Sequence, residues 1–534
     1  MKMIFMALAA VAALVGCSKE NTPMDVVAKN NFTVNASIVL DDTRVAVEGE
    51  NFTDVKWEMD DMIQLSSEAG TSMTMTANAI SEDGEKASFA GEGSVAAAED
   101  TYYAIYPAVA ITEGVASINL AEQSGDDAAV LVAKGASNSA ESINLSFTPA
   151  NALLHVTVSG VESLAKAEFK AFDGSNMAQQ FVYNFAKEVA STSGEVAAYT
   201  ITNPANSFFF SLPADMDMTA GYIVSLTDAV GNVCSKAYNG KTFAKGTTTR
   251  VNIEWSTPSV ALGTPMTSYS YYVSGDAKTA NSCANNVIYF PTASTFTGVQ
   301  NAMIAEAGYI VDGKTYVVDV DKATKSFAMA QSVTVSSWGA KSVEAYIKTK
   351  DGQTYKSSTT VYITGLPYTY NFVNGSLDAY RNAGWSTNGK LRVGTMDLAG
   401  HSSTLVLHYY RNVFGATNES GYIVSPMFNI PADINVQPQV VRHAYAAGVW
   451  NFKAFNKNGY VGPVSSASSS ASKSITCTDK TNINLSDSKA GAGVWLSAFT
   501  MTPSQQYVSV SCDTGVSGQG TYYFIYEVGL RYAE

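Results

Sequence analysis

The chain has 534 residues, a formal net charge of −14 and a pI near 4.8. Its 46% apolar content is enough for several packed domains, which excludes a disordered stalk. It is acidic and has no Lys/Arg cluster, which excludes a nucleic-acid partner.

At the start, Lys2 precedes the apolar run Met3 to Val15. That run is too short for a permanent membrane helix and has the length of a secretory hydrophobic core. Leu14-Val15-Gly16-Cys17 follows and resembles the lipobox of bacterial lipoproteins. The resemblance implies a signal peptide over residues 1–17, acyl chains on Cys17 and a polar leader over 18–30. Each buried CH₂ contributes about 0.8 kcal/mol, so several chains on one residue anchor stably. The expected location is the surface of the outer membrane, held by lipid alone.

Beyond the leader the pattern is β throughout. Phe32, Val34, Ala36, Ile38 and Leu40 alternate with other residues and give the first strand one apolar face. "ALLHVTV" sets Leu154, Val156 and Val158 against His155 and Thr157, and "SVEAYIKTKDG" repeats the period of two. Asp-Gly at 83–84, 173–174, 312–313 and 351–352, and Asn-Gly at 239–240, 374–375, 388–389 and 458–459, mark tight hairpins. No long 3.6-residue period appears. Compositional breaks bound the segments 31–255, 262–365 and 366–534. The stretch 256–265 reads as a linker, 364–372 as a junction and the Ser-rich 465–474 as a surface loop.

Residues 31–255 carry an ordered series of signatures: "FTVNASIVLDDTRVAVEGE", "VKWEMDDMIQL", "YYAIYPA", "LSFTPANALLHVTV", "FFFSLPA" and "FAKGTTTRVNIEW". Together they resemble the fimbrillin-like lipoproteins of Gram-negative anaerobes, the subunits of type V pili. The resemblance implies two consecutive transthyretin-like β-sandwiches, over 31–142 and 143–255, in a protein that stays lipid-anchored or is released into fimbriae. It also implies assembly by strand exchange: an arginine-specific protease removes the first strand, and a strand from another subunit fills the groove. Arg44 in "DDTRVAV" matches the cleavage position, and Phe32 to Leu40 match the removable strand.

Residues 262–365, through "AGYIVDGKTYVVDV" and "WGAKSVEAYIKTKDGQTY", resemble a fibronectin type III or immunoglobulin-like sandwich. Residues 366–534, closing on "TYYFIYEVGLRY", resemble the jelly-roll, carbohydrate-binding-module-like domains appended to surface proteins. Trp385, Tyr409, Tyr410, Trp450 and Trp495 are its candidate sugar-stacking aromatics; buried core is the competing reading for them. Cys477 and Cys512 are a candidate disulfide, with buried free thiols as the alternative.

Four histidines, no nucleophile-base motif and no Cys/His spacing give no catalytic or metal signature. Asp319 and Asp321 read as outward strand carboxylates. The expectation is a non-enzymatic protein without cofactor or metal. "YFIYEVGLRY" looks like the closing strand of the jelly roll, so it is not free to be donated. That points to an accessory or tip subunit of a fimbria that mediates adhesion. Its expected partners are other fimbrial subunits and a host or microbial glycan or protein. The alternative is a non-polymerising surface lipoprotein that captures glycans through the jelly roll.

Overall fold

The computed structural model describes residues 31–39, 50–51, 55–92, 100–126, 128–137, 141–372, 377–387, 391–395, 405–410, 422–444, 448–455, 472–477, 495–513 and 522–534. Over these the fold is all-β with short six-residue helices. The chain forms two compact units: Met1–Gly231 with Tyr238–Glu254, and Asn232–Ala237 with Trp255–Glu534.

Unit 1 opens with strands β1 (Asn31–Ile38), β2 (Met62–Ser67), β3 (Ser72–Ile80), β4 (Lys86–Glu92), β5 (Asp100–Tyr106), β6 (Leu131–Ser137) and β7 (Ser142–Pro149). They close into a barrel in the order β1-β7-β6-β5-β2-β3-β4. Alternation drives the closure: β3 buries Met73, Met75 and Ala77 and exposes Ser72, Thr74 and Thr76. The predicted boundary at 142/143 is therefore misplaced. Ser142–Pro149 pairs with β6 and with β1, so the barrel runs to Pro149.

The rest of unit 1 is built from β8 (Asn151–Ser159), β9 (Leu164–Ala171), β10 (Tyr199–Thr202), β11 (Ser207–Pro213), β12 (Tyr222–Asp228) and β13 (Thr247–Glu254). One sheet contains β11-β8-β13 and another β12-β9-β10. Phe169 sits between them, within 6.0 Å of the rings of Tyr199, Phe210, Tyr222 and Phe243. The two halves interleave: Glu50–Asn51 pairs with β13, and Glu122–Gln123 runs parallel to β10. The glycines of all four Asp-Gly pairs have positive φ, as tight turns require. Gly240 is glycine for another reason, because a Cβ there would overlap the carbonyl of Thr219.

Unit 2 begins with β14 (Ser259–Ala261), α1 (Ser268–Val273), α2 (Ala277–Ser282), β15 (Ser294–Thr297), β16 (Ile304–Val311), β17 (Lys314–Val318), β18 (Ser326–Phe327), β19 (Gly339–Thr349) and β20 (Thr354–Ile363). Its sheets contain β14-β15-β18 and β17-β16-β19-β20. The stretch read as a linker is thus partly strand, since Ser259–Ala261 pairs with β15. α1 starts on a capping box between Thr267 and Ser270.

There follow β21 (Tyr368–Asn371), α3 (Leu377–Asn382), β22 (Leu391–Thr395), β23 (Leu405–Tyr410), β24 (Ile434–Ala444), β25 (Gly448–Phe455), β26 (Ser472–Cys477), β27 (Phe499–Met501), β28 (Tyr507–Asp513) and β29 (Tyr522–Tyr532). One sheet runs β22-β23-β29-β24-β27, with β21 also on β29. The other contains β28-β25-β26.

The start of the junction, 364–366, is buried, with Thr364 and Leu366 both fully enclosed. Tyr532 makes the tie. Its hydroxyl shares a hydrogen bond with Thr364 Oγ1 at 2.6 Å, and its ring stacks on Tyr272 of α1 at 4.7 Å. Its backbone N–H and C=O bond both ends of the Asn281 amide at 2.9 Å. Trp338 stacks on Phe428 at 5.4 Å. Residues 262–365 and 366–534 therefore share one core. Replacing Tyr532 by Phe should cost about 1–2 kcal/mol and by Ala about 3–5 kcal/mol. Chemical denaturation measures both, and equal, negligible costs would contradict this packing.

Candidate functional site

The barrel depends on its first strand. β1 lies between β7, which it meets in parallel, and β4, which it meets antiparallel. In the barrel order β4 and β7 do not pair with each other; each pairs with β1, which closes the ring between them. Six register pairs join β1 to β7 and seven join it to β4. Without β1, two strand edges lose their partners and the apolar interior opens.

The side chains follow the predicted alternation. Phe32 and Val34 are fully buried and Ala36 is 4% exposed. Thr33, Asn35 and Ser37 take the other face, where Asn35 Nδ2 donates to Asn144 Oδ1 at 3.0 Å. Phe32 stacks on Tyr102 at 5.7 Å and lies opposite Gly91, where a Cβ would crowd Met75. Ile38 is only half-buried, so the apolar face fades toward the end of the strand. There the N–H of Ile38 donates to Glu85 O, and that of Val39 to Phe147 O. Leu40, Arg44 and Cys17 lie outside the described residues.

In "VKWEMDD" the sequence assigns Trp57 no task. Trp57 is 3% exposed and packs edge-on against Phe89 of β4 at 5.0 Å, Phe147 of β7 at 5.2 Å and Tyr106 at 5.5 Å. It thus bears on both strands that flank β1. Only its isolation between charged residues in the sequence hinted at a special position.

The other candidates separate. Trp385 is 3% exposed, donates its indole N–H to Tyr368 Oη at 3.1 Å and belongs to the unit 2 core. It is therefore not a ligand platform: the Gly-rich context marked a turn beside the core rather than an exposed ring. Tyr409 and Tyr410 fall on β23 and Trp450 on β25; their side chains lie outside the description. Trp495, half-buried, lies over Gly529 with the Arg531 guanidinium 4.5 Å from its ring. The disulfide is corrected by topology. Cys477 on β26 and Cys512 on β28 pair with opposite sides of β25, at Gly448 and Trp450. Two strand spacings, about 9.6 Å, exceed the Cα separation that a disulfide spans. The last strand, β29, is interior to its sheet, hydrogen-bonded to β23, β24 and β21.

No family model matches the chain. No curated protein matches it either. Among solved structures it is similar to a candidate cell adhesion protein from Bacteroides ovatus, at 16% identity and a TM-score of 0.29, covering 42% of this chain and 92% of that one. A candidate cell adhesion protein from Bacteroides uniformis is similar at 16% identity and a TM-score of 0.30, covering 43% and 94%. The K1 cleaved adhesin domain of Lys-gingipain from Porphyromonas gingivalis is similar at 18% identity and a TM-score of 0.21, covering 31% and 98%. No function is carried over from these partial likenesses.

Truncating Phe32 to Ala removes the largest side chain that β1 inserts. It should destabilise the barrel by about 3–5 kcal/mol, read as a lower denaturation midpoint, whereas Asn35→Ala on the outer face should cost under about 1 kcal/mol. Equal effects from the two would refute an inward-packed β1.

Proposed function

We propose that this chain is a cell-surface adhesion protein of fimbrial type, an accessory or tip subunit whose barrel exchanges its first strand. Acyl chains on Cys17 hold the precursor at the outer membrane. Cleavage after Arg44 frees β1, and an extended strand from another subunit takes its place between β4 and β7. The role is binding rather than catalysis, directed at a host or microbial glycan or protein.

One observation carries this reading: β1 is the one strand paired with both β4 and β7, and it is the first strand of the barrel. The first strand of the barrel can leave by one cut without unthreading the rest. An incoming strand would recover backbone hydrogen bonds along both edges, each worth about 1 kcal/mol net. β29 supports the terminal position of the subunit, because it is held on both sides within its own sheet and by Tyr532. It does not serve as the strand that fills a neighbour.

Limited trypsin treatment of the purified precursor, followed by N-terminal sequencing, tests this. The expected product starts at Val45, loses the leader and then captures a synthetic peptide of residues 31–40. Resistance at Arg44, or a cut product that captures no strand peptide, would overturn the proposal.

A further inference from the structure

A second feature of unit 1 is lined by no residue of β1. A cleft of about 370 Å³ opens beside the start of β2 and the strand β11. Its floor is apolar: Ala128, Ala129 and Leu153 are buried, with Val55 and Phe209 packed against them. Its rim is polar, formed by Lys56, Glu58, Asp61, Asp126, Ser207 and the Tyr106 hydroxyl.

The cleft is built rather than accidental. Asn151, 1% exposed, donates to Ala128 O at 2.8 Å and accepts from Val130 N at 2.9 Å, which pins the floor. The same amide donates to Ser211 Oγ at 2.7 Å, which fixes the floor to β11. Phe209 is held from behind by His155, whose ring stacks on it at 4.3 Å and shares a hydrogen bond with Ser207 Oγ at 2.9 Å. Phe209 N donates to Gly125 O, tying that wall to the loop that carries Asp126. Asp61 is also fixed, accepting from Glu58 N at 2.7 Å and from the Tyr106 hydroxyl at 3.1 Å. By contrast, among the described residues the side chains of Glu58, Asp126 and Lys56 have no hydrogen-bond or ion-pair partner, and all three are exposed.

We propose that this cleft is a saccharide-binding site for neutral sugar rings. A floor of apolar side chains ending in an aromatic wall suits the C–H face of a sugar ring. The rim offers acceptors at Glu58 and Asp126, a donor at Lys56 and a hydroxyl at Ser207. That mixture matches ring hydroxyls, which both donate and accept. The carboxylates would repel an anionic ligand, and Lys56 would oppose a purely cationic one. The pinned floor and wall reduce the ordering cost on binding. The site goes beyond the adhesion reading above and does not require strand exchange. It also differs from the jelly-roll aromatics expected from the sequence.

The test uses the full chain on an array of neutral hexose, N-acetylhexosamine and fucose oligosaccharides, with calorimetry on any sugar that binds. The expected result is binding that is nearly insensitive to salt and about tenfold weaker in Glu58→Ala and in Asp126→Ala. Both positions are exposed, so the variants should keep the parent unfolding midpoint. Phe209→Ala should abolish binding, and Trp495→Ala in unit 2 should leave it unchanged. Three results would overturn the site: no neutral glycan bound; binding lost in Trp495→Ala but kept in the two carboxylate variants; or binding confined to cationic ligands and erased by salt. The proteolytic test of strand exchange has a separate readout, so either proposal can fail without the other.

Discussion

The barrel of unit 1 rests on one constraint: two strands that do not pair with each other are joined through a third, the first strand of the barrel. β4 and β7 present backbone donors and acceptors toward each other across the width of β1. Phe32 and Val34 fill the interior behind those bonds, each worth roughly 1.5–3 kcal/mol of burial. Trp57 bears on Phe89 and Phe147 and so supports both flanking strands from inside. The slot is therefore shaped from the core as well as from its edges. Any replacement strand must bring apolar side chains at alternate positions as well as a free backbone.

Unit 2 solves the opposite problem. Its last strand is enclosed, and Tyr532 concentrates the bonding there. Burial pushes the Tyr532 phenol above its ordinary pKa, and its ring, hydroxyl and backbone each meet a different element: α1, the 364–366 junction and α2. A single residue of the last strand thus joins what the sequence suggests are two domains. A strand held in this way is costly to withdraw, which separates its role from that of β1.

Much of the β1 site was legible, because alternation is a one-dimensional signal. Phe32, Val34 and Ala36 point inward as period two demands. The end of the barrel was not legible, because "SINLSFTP" alternates as well for one domain as for the next. Only pairing with β1 and β6 assigns Ser142–Pro149 to the barrel. Trp385 was open to misreading since glycine neighbours mark a turn without saying whether the adjoining ring faces solvent. Cys477 and Cys512 could not be judged, because strand order is a property of the whole sheet and β25 intervenes between them. The roles of Trp57 and Asn151 were invisible for the same reason: their partners are remote in sequence.

Hydrogen–deuterium exchange of the barrel before and after cleavage at Arg44 tests the central claim most directly. The account predicts that amides of Lys86–Glu92 and Ser142–Pro149 lose protection together once β1 departs, while those of β29 keep theirs, and that an added strand peptide restores both segments. Unchanged protection of β4 and β7 after β1 has gone would contradict it.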